Sequence, residues 1–361
     1  MGISAFAYAC SGGHGTNGFD GGGSGGGAGG GGAGVGGGSG DSGIFNGDGS
    51  SGGGPGDGGV TVMTTIYAHT DTTLYTMDPQ SMHVTKVGDF TGLPSTDAGP
   101  PNVTDLAVNA NGDVYVNTES DIYKAAVPSG PGPVPLTHFA SISAGGTKKY
   151  FYALAFAPAG VLGSSETLVA GDGNGEIWSV DANGAAKDLG NFGADSTKSC
   201  LSSGQTGTCT YALSGDIVFY TENGAATGIA TIRSCKTGTT TCTKNDFLAG
   251  IDVTALSTAY TTSTPAATLL KGIYGGSSTS PGPGTGHGDL FGLGAWGGEV
   301  YAFSRNYGSN PTSPPALLTI DTTTGAGTVI TSSFNFTNGW SGAGVTTKTT
   351  VNIPPPPPPP R

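Results

Sequence analysis

With 361 residues, 69 of them glycine, and only 11% charged, the chain has room for one large all-β domain once its glycine-rich stretch is set aside. Its formal net charge of −12 comes from 13 Lys and Arg against 25 Asp and Glu. The densest basic run is Lys148-Lys149, which excludes a surface built to neutralise nucleic-acid phosphates.

Residues 1–10 form an apolar run closing on Ala7-Tyr8-Ala9-Cys10. This resembles the lipobox of bacterial lipoproteins, and the resemblance implies a lipid on Cys10, with membrane contact through that anchor alone. The other reading is an ordinary cysteine in a leaderless chain. Residues 11–59 are more than half glycine and cannot bury enough apolar surface to repay the entropy of ordering, so they read as a disordered tether. A flexible coil of that length spans on the order of 40 Å.

Between residues 60 and 351 one extended pattern returns: aliphatic, aromatic or apolar, short polar, apolar, often closing on Asp. It stands at Leu74-Tyr75-Thr76-Met77-Asp78, Ile122-Tyr123-Lys124-Ala125, Ile177-Trp178-Ser179-Val180-Asp181, Ile229-Ala230-Thr231-Ile232 and Leu317-Leu318-Thr319-Ile320-Asp321. Apolar side chains on both faces call for a strand covered from both sides. The anchors are 48, 55, 52 and 88 residues apart, a spacing that suits one small antiparallel sheet per repeat. The expected fold is therefore an all-β β-propeller of five blades, or six if a degenerate blade hides in the long gap before residue 317.

In chain order, three strands are expected over 63–87, and the second repeat has its hairpin signal at Asn111-Gly112. The third repeat turns at Gly173-Asn174-Gly175 and Asn183-Gly184, and the fourth runs through Asp216–Tyr220, the anchor at Ile229 and a strand near Cys242. Residues 251–260 break the pattern with a short helix capped by Asp252 or Thr254. After the last repeat, Trp340–Val351 reads as one strand without local partners, expected to complete the first sheet and close the ring. Seven prolines follow in a polyproline II tail over 352–361.

Four of the five cysteines, Cys200, Cys209, Cys235 and Cys242, fall in one neighbourhood. Of the three connectivities, Cys200–Cys209 and Cys235–Cys242 each span a turn that brings two strands face to face. The spacing lacks the close ligand pairs of a zinc site, so the four imply an oxidising, extracytoplasmic compartment.

No catalytic constellation assembles by spacing. Propeller ligands sit where inner strands converge, which makes Asp105, Asp216 and Asp289 axial candidates, with Trp296 as an aromatic platform. Across residues 60–351 the repeats are similar to secreted bacterial β-propellers of the NHL and YVTN kind. The tether, the expected disulfides and the missing catalytic set point to a monomeric, surface-tethered, non-catalytic module binding a protein or glycan, with no cofactor. The alternative is an extracellular hydrolase or lyase acting on sugars or lactones through axial carboxylates with calcium.

Overall fold

The computed structural model describes residues 65–351 apart from 97–98, 196–208, 223, 238–240, 276–283, 307–312, 337–338 and 349. The chain divides into two units, Met1–Val62 and Met63–Arg361, and all described residues belong to the second. Cys10, Cys200, the glycine-rich stretch and the proline tail lie outside the described residues.

The fold is all-β with one helix among the described residues, and its strands fall into antiparallel groups of four. The first group has β1 (Ile66–His69), β2 (Thr73–Asp78) and β3 (His83–Thr91). The second has β4 (Asp105–Val108), β5 (Val114–Asn117), β6 (Asp121–Ala125) and β7 (Val134–Ser141). Parallel pairing of Phe90 with Val134 and Thr91 with Pro135 joins β3 to β7, so these two groups share one sheet. A small hairpin, β8 (Ser143–Ala144) and β9 (Thr147–Lys148), leads to the third group.

That third group is β10 (Ala153–Ala157), β11 (Thr167–Gly171), β12 (Glu176–Val180) and β13 (Ala186–Asn191). The fourth adds a short β14 (Ala194–Asp195) to β15 (Cys209–Glu222), β16 (Ala225–Lys236), β17 (Phe247–Ile251) and β18 (Leu270–Ile273), with α1 (Val253–Thr262) between the last two. Asp252 caps α1 as expected, its carboxylate accepting the N–H groups of Thr254 and Ala255. The fifth group is β19 (Leu290–Trp296), β20 (Glu299–Ser304), β21 (Ala316–Ile320) and β22 (Gly327–Thr331).

The strand missing from the first group comes from the other end of the chain. β23 (Gly342–Val345) pairs antiparallel with β1, His69 opposite Gly342 and Ile66 opposite Val345. The expectation of a single strand over 340–351 needs correction, however. The chain turns after Val345, Thr346 donates its hydroxyl to Asn109 O at 2.9 Å, and β24 (Thr350–Val351) pairs in parallel with Thr221 and Glu222 of β15.

The first strands of the groups pack beside one another in sequence: β4 beside β10, β10 beside β15, β15 beside β19, β19 beside β23, and β23 beside β4. Their composition permits this crowding. A Cβ on Gly292 would meet Ala343 N at 2.8 Å, and one on Gly294 would meet Ile66 Cγ2 at 2.8 Å, so only glycine fits at either place. Apolar clusters fill the spaces between consecutive groups, and β4 and β17 are buried along their whole length.

The repeated anchor has a geometric meaning. In each group the third and fourth strands slip register by one residue, between Leu74 and Tyr75, Ile122 and Tyr123, Ile177 and Trp178, Gly250 and Ile251, and Leu317 and Leu318. These β-bulges sit at the first anchor residue and bend the outer strand. The fourth anchor is thus Gly250 on β17, not Ile229, which lies on the second strand of its group. Among the described residues near Cys242, no strand forms; Cys242 makes an isolated bridge to Cys235, and Thr243 N donates to Ser234 O.

Candidate functional site

Asp105 opens β4 and is fully buried. Its Oδ1 accepts the N–H of Leu106 at 2.8 Å, and its Oδ2 accepts that of Leu154, on β10, at 2.7 Å. Asp216 on β15 repeats the arrangement, with Oδ1 accepting from Ile217 at 2.5 Å and Oδ2 from Leu293, on β19, at 2.6 Å. Neighbouring first strands splay too far for ladder bonds, so a short carboxylate bridges each gap and satisfies two backbone donors at once.

The two side chains also lie within hydrogen-bonding reach of each other. Burial pushes both carboxyls well above the ordinary carboxylate range, and for Asp105 the negative charge of Asp216 adds to it. A second negative charge on a buried carboxyl pair is disfavoured, so the two titrate as a unit.

His69, the last residue of β1, lies beside them and is fully buried. Its Nδ1 donates to Thr70 O at 2.8 Å, which leaves Nε2 as a bare acceptor with no partner among the described residues. Burial holds the imidazole down at about 4, so the ring is neutral near pH 7. Nε2 and Asp105 Oδ1 both press on the Cα of Gly342, where any Cβ would collide with them.

Asp289 stands apart from this pair, just before β19, in a left-handed conformation at φ 54°. Arg233 Nη2 donates to Asp289 Oδ1 at 2.7 Å, and its Nε to Asp246 Oδ1 at 2.5 Å; Asp246 Oδ2 in turn accepts from Leu290 N at 2.7 Å. Arg305, at the end of β20, makes a second cluster through Asp71 at 2.7 Å and Ser341 at 2.8 Å, its guanidinium lying 5.2 Å from the Phe291 ring centre.

The structure therefore brings Asp105 and Asp216 together, gives Asp289 a different partner, and sets Trp296 at the opposite end of β19, half-buried against the aromatic core. Alongside the carboxyl pair the first strands leave a cavity of only about 10 Å³, lined by Leu106, Leu154, Ile217, Phe219 and Val345 among others. That is at the lower limit for a single water. Among the described residues no three His, Cys, Asp or Glu side chains converge to hold a metal ion.

A larger depression was not singled out from the sequence. An open groove of about 410 Å³ lies at the β2–β3 hairpin, lined by Thr65, Asp78, Pro79, Ser81, His83 and Thr85 among others. Its only sequence signal is the hydroxyl-rich alternation of this hairpin, which a solvent-facing strand shows equally.

Cys235 and Cys242 form a disulfide, and Cys209 is disulfide-bonded as well. No helix among the described residues is long and apolar enough to cross a membrane.

No family model and no curated protein matches the chain. Among solved structures it is similar to a putative TolB from Agrobacterium tumefaciens, at 11% identity and TM-score 0.38, covering 80% of this chain and 93% of that one. A Bacteroides caccae protein of unknown function is 7% identical at TM-score 0.36, with 78% and 98% covered. A symmetrical protein described for its de novo evolutionary emergence is 11% identical at TM-score 0.36, with 80% and 100% covered. Likenesses this distant assign neither an activity nor a ligand.

Proposed function

We propose that residues 60–351 form a five-bladed β-propeller that works outside the cytoplasm as a non-catalytic binding or scaffolding module, held at a surface by the glycine-rich tether and a lipid on Cys10. The cyclic order in which the first strands pack supports the ring, with β23 as its closing strand. The Cys235–Cys242 disulfide supports an oxidising compartment.

One observation carries the non-catalytic reading. Every carboxylate oxygen of Asp105 and Asp216 already accepts a backbone N–H, and neither side chain is exposed. These acids hold strands together and have no path to a substrate. The groove at the β2–β3 hairpin is the better binding surface, because Thr65, Ser81, Thr85, His83 and Asp78 offer varied hydrogen-bonding groups around Pro79 and Met77, as a glycan or peptide requires.

The test is a glycan and protein array probed with the full chain, followed by His83→Ala and Asp78→Ala. Ligand binding that both variants weaken without lowering the melting temperature supports the reading. The hydrolase or lyase alternative rests on Asp289, the axial carboxylate candidate whose side chain keeps solvent access, at 27%. Turnover of a sugar or lactone that Asp289→Asn abolishes at unchanged melting temperature overturns the non-catalytic reading.

A further inference from the structure

We infer that β23 is held by a proton-operated clasp: His69, Asp105 and Asp216, from three different strand groups, meet on Gly342 and Ala343, and loss of a proton shared by the two carboxyls releases the strand. His69 is the ladder partner of Gly342. Asp105 Oδ1 rests against the Cα of Gly342 together with His69 Nε2. Asp216 lies near the backbone N–H of Ala343, while its Oδ2 holds Leu293 of β19, the strand packed on the other side of β23. The first two residues of the strand are thus gripped from β1, β4 and β15 at once.

With one proton between them the two carboxyls carry a single negative charge, spread over oxygens that accept four backbone N–H groups from their own and neighbouring strands. Removing that proton sets two carboxylates against each other in a fully buried site, where repulsion is far less screened than in solution. Nothing facing the pair is placed to absorb the second charge. From β1, His69 turns a lone pair toward it, and the adjacent Asp71 is acidic and bound to Arg305 of β20. From the fourth and fifth groups, Arg233 is occupied by Asp246 and Asp289. β10, β19 and β23 contribute backbone N–H groups and apolar side chains. The strand held this way pairs the two ends of the folded unit, so opening it parts β23 from β1. Burial of both carboxyls, which favours the protonated form, agrees with this design.

The experiment is hydrogen exchange by mass spectrometry on the full chain across pH, corrected for intrinsic exchange, with the β20 amides as an internal reference. Protection of residues 342–345 is expected to fall about tenfold relative to β20 for each pH unit above the point where the pair loses its proton. In Asp105→Asn and in Asp216→Asn, where an amide replaces the shared proton, that extra pH dependence should vanish. Protection of 342–345 that tracks β20 at every pH, or that responds equally in both variants, overturns the clasp. If neither variant folds, infrared spectroscopy of the unsubstituted chain decides: a buried protonated-carboxyl carbonyl band must disappear together with the protection as pH rises, and loss of either one without the other overturns the proposal.

Discussion

Arg305 and Asp71 are 234 positions apart and meet at 2.7 Å across the join between the fifth group and the first. The same guanidinium reaches Ser341 Oγ at 2.8 Å and Trp340 O at 3.3 Å, and Ser341 donates its own hydroxyl to Asp71. One planar cation thereby ties a turn of the first group, the end of β20 and the approach to β23. With side chains 24% and 12% exposed, the ion pair is shielded enough to matter.

Arg305→Met should accordingly lower the unfolding free energy by about 2–3 kcal/mol in urea titration, because it leaves the Asp71 carboxylate short of a donor in a half-buried site. Arg305→Lys should recover only part of this, since a single ammonium cannot match the fork that serves three acceptors. A loss under about 0.5 kcal/mol for the Met variant, the range of ordinary surface changes, would show the bond to be idle.

Two glycines should respond in opposite ways to the same substitution. Gly342→Ala drives a methyl into Asp105 and His69, where backbone and buried polar groups cannot yield, and should cost about 3 kcal/mol or leave the chain unfolded. Gly272→Ala on β18 meets nothing within 4 Å and should leave the melting temperature within a degree or two, by the size of effects expected for open sites. Equal losses at both positions would remove the argument that the first strands are packed to contact.

Stability should have two pH limbs of opposite sign. His69 titrates at about 4 in the folded chain against 6.5 when unperturbed, so the unfolded state takes up its proton first and stability falls as pH drops through that interval. Asp105 and Asp216 are raised instead, so the folded state holds the extra proton. Their contribution is complete at low pH and is lost as pH climbs through their folded values. The two limbs oppose each other wherever their pH windows overlap. Melting temperatures recorded across pH should thus decline toward alkaline pH in the unsubstituted chain and not in Asp105→Asn. His69→Gln should abolish the acid limb alone.

Reduction should loosen the Cys235–Cys242 hairpin without dismantling the fold. The bridge closes a loop of seven residues, for which chain entropy assigns about 2–3 kcal/mol. Cys235→Ser with Cys242→Ser should therefore lower the melting temperature by several degrees, about what that free energy yields in a domain of this size. No change, or complete unfolding, would contradict this.

Four of the five anchors were legible because each bulge falls where an aliphatic residue meets an aromatic or second apolar one, as at Ile122-Tyr123 and Ile177-Trp178. The fourth was hidden: Gly250 carries no side chain to mark it, and β17 runs into the helix cap at Asp252, whereas Ile229 carries the pattern on a different strand. Asp105 and Asp216 stood out as acids at the head of apolar strands, and the structure does bring them together. Their bonds to Leu154 and Leu293 were not readable, because nothing local in the sequence names an acceptor's partner 49 or 77 residues away. His69 gave no signal at all. It is one of five scattered histidines, and its place opposite Gly342 depends on a pairing that only the folded chain contains.

The edge of β1 that receives Gly342–Val345 has consequences during synthesis. From the moment Ile66–His69 leaves the ribosome until residue 345 follows it, the earliest sheet to be made has an exposed flank of unbonded amides and carbonyls, open to any other extended peptide. Of the described sheets, the first begun is thus the last finished, its flank closing only when the far end of the folded unit arrives.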